Sequence, residues 1–213
     1  MNAPELAQVF LHDVIALATI LNPVAAASIM VSLVDPDDLP QVRRTARTAS
    51  LTIFIASVVT LAGGGLIFEL FGINVLSIKV IGGVVLMALA LNMINGRVAS
   101  SRHSSAENQE AQEKDDISVI PLAIPILFGP GMIATLVVLN NHSVDLLQKG
   151  ILYLAVFVST LVVFFTLRYA VTINRFLGET GTRVLTRLMG LVVGAIAAQF
   201  LVEGTKGLWM AAT

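Results

Sequence analysis

The 213-residue chain contains no cysteine. That excludes disulfides, thiolate metal sites and thiol redox chemistry, and with them a disulfide-relay membrane enzyme. Charge is also scarce: 13% of residues are charged against 56% of hydrophobic type, too few to solvate a globular surface of this size. The three histidines, His12, His103 and His142, fall at the edge of an apolar run or in loops. An intramembrane serine protease needs a serine and a histidine together in the membrane, and an aspartyl enzyme needs two aspartates there, where only Asp13 is available. No cluster of His, Asp and Glu has metal-site spacing. The chain is therefore not expected to be an enzyme, and no cofactor is expected.

What is abundant is long apolar sequence. A helical span needs roughly 20 apolar residues, and six segments qualify, at about 8–34, 48–71, 76–96, 117–140, 148–173 and 183–203. The fourth holds no ionisable residue. The expected fold class is an all-α membrane protein of six transmembrane helices. The opening MNAPELAQVF lacks the basic stretch of a cleavable signal peptide, so the first span is expected to be retained. Six spans sort the basic residues by side. Arg43, Arg44, Arg47, Arg97, Arg102, Lys114, Arg168, Arg175, Arg183 and Arg187 fall at one set of ends; only Lys79, Lys149 and Lys206 fall at the other. By the positive-inside rule the richer side is cytoplasmic, which puts both termini outside.

Two of the spans are interrupted. LATILNPVAAASIMVSL (17–33) carries Asn22-Pro23 in mid-run, and IPLAIPILFGPGMIATLVVL (120–139) carries Gly129-Pro130-Gly131. Proline removes a backbone donor and clashes with the preceding turn, and glycine relaxes the helix further. In hydrocarbon, freed backbone groups are tolerated only where protein or a water-filled cavity satisfies them. Matching breaks in two halves mark a solute site near the bilayer midplane.

The halves resemble each other. Residues 97–116, RVASSRHSSAENQEAQEKDD, read as a solvated cytoplasmic linker between a first repeat, 1–96, and a second, 117–213. A shift of 107 lays Pro23 on Pro130. A shift of 108 lays Gly82, Val84, Val85, Ala90 and Gly96 on Gly190, Val192, Val193, Ala198 and Gly204, and Lys79 on Arg187. Three spans per unit is an odd number, so the second copy is expected to insert upside down, giving two inverted-topology repeats whose first helix is broken.

The NPVAAASIMVSL motif, the PLAIPILFGPGMIATLVVL motif and the three-plus-three layout resemble the MarC family of inner-membrane proteins, over essentially the whole chain. The pattern Pro121, Pro125, Gly129, Pro130, Gly131 is the most specific part. The first motif departs from the usual family form, Asp-Pro followed by a glycine-containing turn: Asn22 replaces the aspartate and Ala25-Ala26-Ala27 the glycine. The resemblance implies a multi-pass protein of the cell inner (plasma) membrane that transports small neutral amino acids such as alanine and glycine. It is compatible with a coupling cation or proton and with a homo-oligomer. The partners are then a small neutral amino acid and the lipid bilayer, with no nucleic acid.

The chemistry at the breaks fits such a solute. A half-helix starting after Pro23 presents amides from about Val24 to Ala27, and one starting after Pro130 presents Gly131, Met132 and Ile133. Helix N-termini carry roughly +0.5 of an elementary charge and receive anions. The carbonyls that end the preceding halves, near Ala18 to Leu21 and Ile126 to Gly129, accept an ammonium group. Ser28, Thr19 and Thr135 lie within one or two turns, and Ala25 and Ala26 leave room for a small side chain. The candidate substrate-binding set is Asn22, Pro23, Ala25, Ala26, Ser28, Gly129, Pro130, Gly131, Met132 and Thr135. Asp13 beside His12, and Glu69 and Glu203, read as interfacial groups. Asn92, Asn95 and Gln199 read as interhelical glue. Gly63-Gly64-Gly65 and the series Gly190, Gly194, Ala198 read as close-packing sites. A channel-like permease and a non-transporting membrane scaffold or regulator are the rival functions, the first because a re-entrant break also builds selectivity filters.

Overall fold

The computed structural model describes residues 3–96, 118–143 and 145–212, so the expected linker at 97–116 lies outside the described residues. Among those described, the regular structure is helical. The first apolar segment forms α1 (Ala3–Leu21) and α2 (Pro23–Leu33), which meet at Asn22. Next comes α3 (Leu39–Leu70), started by Asp38, whose side chain accepts from Gln41 N at 3.0 Å. Its 32 residues extend about 48 Å, well beyond a hydrocarbon core of about 30 Å. The surplus is its first turns, where Arg43, Arg44 and Arg47 are exposed. Helix α4 (Val75–Ile94) is capped by Asn74, which accepts from Leu76 N at 2.9 Å. A π-helical segment (Ser118–Leu127) precedes α5 (Pro130–His142), and α6 (Leu146–Arg168) follows. The last helix, α7 (Ala170–Ala212), is bent at Gly178, whose φ of 62° is open to glycine at little steric cost.

Five stretches are long and apolar enough to cross a membrane: Pro4–Leu33, Leu39–Leu70, Val75–Ile94, Leu146–Arg168 and Ala170–Ala211. The expected span at 117–140 is not among them, because the π segment and the break at Gly129 divide it in two. Large apolar side chains line the outside of the bundle, among them Leu51, Ile55 and Val59 on α3, Leu154 and Phe165 on α6, and Leu188 and Leu191 on α7. In water such a belt would be an aggregation surface; in a bilayer it is the lipid-facing side.

Small residues set the closest contact in the bundle, between α4 and α7. A Cβ added at Gly83 would stand 3.0 Å from Ala197 O, at Gly190 3.1 Å from Ala90 O, and at Gly204 2.9 Å from Leu76 O. The two helices therefore run antiparallel with their backbones nearly touching. At one end Arg187 approaches Gly96, and at the other Lys79 Nζ pairs with Glu203 Oε2 at 3.0 Å. Two close-packing expectations need correction. Ala198 is exposed while Ala197 and Leu201 face α4, because the packed stripe steps by three and four residues rather than by four alone. Of the glycine triplet only Gly64 is at a contact, with Val137 on α5; Gly63 and Gly65 have nothing within 4 Å.

Elements from before and after residues 97–117 interleave. Helix α4 packs on α7 and α5, α2 on α7 and α6, and α1 on α6, while α3 lies along the π segment, α5 and α6. The core formed by Leu17, Met30, Ile53, Leu86, Leu122, Leu136, Leu152 and Val193 is therefore drawn from both halves.

Candidate functional site

Both proline motifs break the chain where the apolar pattern gives no reason to stop. At the first, Asn22 stands in the left-handed region (φ 44°, ψ 62°) and Pro23 opens α2. Asparagine is among the few residues that visit this region, and it does so at a cost of about 1 kcal/mol. Proline fits the first helical position because its missing N–H would have no partner there. At the second, Gly129 is extended (φ −98°, ψ −179°) and Pro130 opens α5. Before it the chain has widened into the π segment, with Phe128 N donating to Ala123 O, five residues back, at 2.8 Å. Pro121 and Pro125 lie within this segment, and each lacks the N–H that an α-helix would use.

The hydrogen bonds at each break narrow the expected set of free backbone groups. Asn22 N donates to Ala18 O, and Ala26 N donates to Asn22 O, each at 3.1 Å. Ala18 O and Ala26 N are thereby used. The donors of the first α2 turn without a helical acceptor are Val24 and Ala25, and the carbonyls of Thr19, Ile20 and Leu21 are the orphans of α1. At the second break Met132 N and Ile133 N both donate to Gly129 O, at 3.0 and 3.3 Å, which leaves Gly131 N as the donor at the start of α5. The first break thus juxtaposes helix-end N–H groups with helix-end carbonyls inside an apolar segment, and the second leaves the Gly131 N–H at the start of α5.

The structure also places the two broken segments against each other: α1 packs on α5, and α2 on the π segment. Of the candidate residues, Ala25, Ala26, Gly131, Met132 and Thr135 are buried, Asn22, Pro23, Ser28 and Gly129 half-buried, and Pro130 exposed. The hydroxyls are committed elsewhere. Thr19 Oγ1 donates to Ile15 O at 2.6 Å and Thr135 Oγ1 to Gly131 O at 2.8 Å, each four residues back on its own helix. Ser28 Oγ donates to Asn174 Oδ1 on α7 at 3.1 Å. Gly131 faces α4, where an added Cβ would come 2.9 Å from Leu86 Cδ2.

A second polar group closes one end of the bundle, and the sequence reading did not assemble it. Lys79 is 8% exposed on α4, and Glu203 on α7 accepts from its Nζ and, at 3.0 Å, from Gln199 Nε2. Gln199, read as interhelical glue, thus bonds within its own helix. Asp13 is 5% exposed on α1, with His12 Nδ1 3.3 Å from its Oδ1. His142, at the end of α5, lies within electrostatic reach of Lys79, Glu203, Asp13 and His12. The pairing of Lys79 with Glu203 crosses 124 positions, and no local pattern signals it.

Residues 7–209 match the description MarC family integral membrane protein. A UPF0056 membrane protein of Aquifex aeolicus (strain VF5) is 34% identical over 96% of this chain and 95% of its own length. The UPF0056 membrane protein YhcE of Escherichia coli (strain K12) is 31% identical over 94% of each chain. The UPF0056 membrane protein YvbG of Bacillus subtilis (strain 168) is 33% identical, over 93% of this chain and 94% of its own. No solved structure matches the chain.

Proposed function

The chain belongs to the MarC family of integral membrane proteins, and on that premise we propose that it is a carrier of small neutral amino acids. One observation carries this reading: two proline-headed half-helices begin inside apolar segments, and those segments pack on each other. A zwitterion offers an anion to helix N-termini and a cation to helix C-termini, so it meets both kinds of orphan group without a buried side-chain charge. In this reading the π segment and α5 together make a sixth span, and 1–96 and 117–213 are inverted repeats. The packing scheme supports that symmetry. Exchanging the halves turns the α2–α7 contact into α5–α4 and the α1–α6 contact into the π segment with α3, and returns α4–α7 and α3–α6 to themselves. The protein then sits in the inner (plasma) membrane with Arg187 at a cytoplasmic end and both termini outside. It performs no bond chemistry and needs no cofactor.

Uptake of labelled alanine into proteoliposomes tests the proposal. Saturable flux that unlabelled alanine competes is the expected result. Unsaturable flux would make the protein a channel-like permease, and no flux with any common amino acid would make it a scaffold. Replacing the exposed Pro130 by leucine is expected to abolish flux while membrane insertion persists; wild-type flux in that variant would remove the second break from the site.

A further inference from the structure

Between α6 and the long part of α7 the chain makes a short helix that belongs to neither span. The 23 residues of α6 extend about 35 Å, enough to cross a hydrocarbon core of about 30 Å, so the chain reaches the membrane boundary at Arg168. Tyr169 follows with φ −104° and ψ 19°, off the helical angles. Residues 170–177 are helical again, until Gly178 redirects the chain with φ 62° and ψ −178°. One face of this segment is docked: Ala170 is fully buried, and Asn174 Oδ1 accepts from Ser28 Oγ on α2 at 3.1 Å.

The other face is open and carries two adjoining rows. Tyr169 is 54% exposed and Phe176 88%, seven residues apart and so two turns along one side. Tyr169 also continues the lipid-facing row of α6, where Phe157, Leu161 and Phe165 stand exposed at steps of four. Arg168 and Arg175 repeat the spacing of seven one position earlier, which sets a row of guanidinium groups beside the aromatic row. Among the described residues neither arginine has an ion-pair partner, and the nearest acid along the chain, Glu179, is paired with Arg183. Arginines beside aromatic rings match a phospholipid surface: phosphate takes a guanidinium in a forked pair, and a ring settles between headgroup and acyl chain. Residues 97–116 are acid-rich but hold Val98 as their only large apolar residue, so they have nothing to lay over Tyr169 and Phe176.

We propose that this face rests on the membrane surface and binds anionic phospholipid. Arg168 and Arg175 hold the headgroup phosphate, and Tyr169 and Phe176 enter the boundary between headgroups and acyl chains. The site is independent of what solute the protein carries. Its effect reaches the first break all the same: Asn174 holds Ser28, so lipid that seats this segment also steadies α2, the helix that Pro23 opens.

Two measurements on the purified full chain test this. In detergent, the melting temperature is followed while phosphatidylglycerol or phosphatidylcholine is added. Phosphatidylglycerol should raise it at the lower concentration, because a lipid that binds the folded state stabilises it and choline cancels the charge that the arginines meet. Arg168→Gln and Arg175→Gln should each increase the phosphatidylglycerol needed about fivefold. Lys149→Gln, at an exposed cation near the opposite end of α6, should leave it unchanged. An equal response to both lipids, or an equal loss in Lys149→Gln, overturns the phosphate site. The second measurement places the aromatic row. The chain has one tryptophan, so Phe176→Trp combined with Trp209→Phe leaves a single indole at the face in question. In nanodiscs of phosphatidylglycerol brominated on its acyl chains, its emission should be quenched. Quenching by a water-soluble agent instead puts the face in water and overturns the proposal. Shielding from both agents also overturns it, and makes protein the cover, from residues 97–117 or a second copy.

Discussion

The two breaks interrupt similar apolar sequence by different means, and the difference separates a bend from a remodelled segment. The first concentrates its distortion in one residue. Asn22 takes left-handed angles, and the helices on either side remain regular, so Pro4–Leu33 still qualifies as one membrane-length stretch. The second spreads its distortion over ten residues of π-helix and then turns through an extended glycine, leaving no membrane-length helix. Strain at the first break is stored in a backbone angle, whereas at the second it is relieved by a wider turn that frees more carbonyls.

Equivalent positions, related by the shift of 107 residues, allow the comparison to be broken one pair at a time. The largest effect is expected at Val24 and Gly131. Gly131 is wedged against the fully buried Leu86, so Gly131→Val should lower stability by about 1–3 kcal/mol through overpacking. Val24 is half-buried, and Val24→Gly should cost less than half as much; equal melting-temperature losses would mean that the two breaks are packed alike. Next come Asn22 and Gly129. Asn22→Ala should lose about 1 kcal/mol, since alanine tolerates left-handed angles poorly, and Asn22→Gly should recover it. Gly129→Ala should show no such strain, because its angles are open to any residue. A chemical-denaturation series in which alanine and glycine behave alike at position 22 would refute the left-handed assignment. The smallest effect belongs to Ser28 and Thr135. Ser28 ties α2 to Asn174 on α7, so Ser28→Ala should cost about 0.5–1.5 kcal/mol. Thr135 bonds only its own helix, and Thr135→Ser, which keeps that hydroxyl, should change stability by less than Ser28→Ala.

Five of the six expected spans, and both interruptions, were legible because each signal is local: an apolar run has a length, and a proline has no N–H wherever it stands. What those interruptions look like was less legible. A proline in mid-run says that the helix stops, but not whether one residue or ten absorb the change. The free amides narrowed from Val24 to Ala27 to just Val24 and Ala25, because the capping carbonyl of Asn22 takes the Ala26 donor. Thr19 and Thr135 were read as available hydroxyls, yet a threonine in a helix can turn its oxygen to the carbonyl four residues back, as both do here. Ser57 on α3, fully buried with its Oγ unpartnered, passed unremarked for the opposite reason. A serine in an apolar helix looks ordinary until the structure leaves its hydroxyl without a partner. The Lys79–Glu203 pair joins helices from the two halves, and nothing in the neighbourhood of either residue announces the other.

The interleaving of the halves bears on how the protein is made. When the first three apolar segments have left the ribosome, the surfaces that α4, α3 and α1 present to α7, α6 and α5 still have nothing to bury them. Glycines shaped for a neighbour's backbone face lipid until that neighbour arrives. A truncated product ending before the second half is therefore an orphan for quality-control proteases, and two fragments synthesised separately should survive only together.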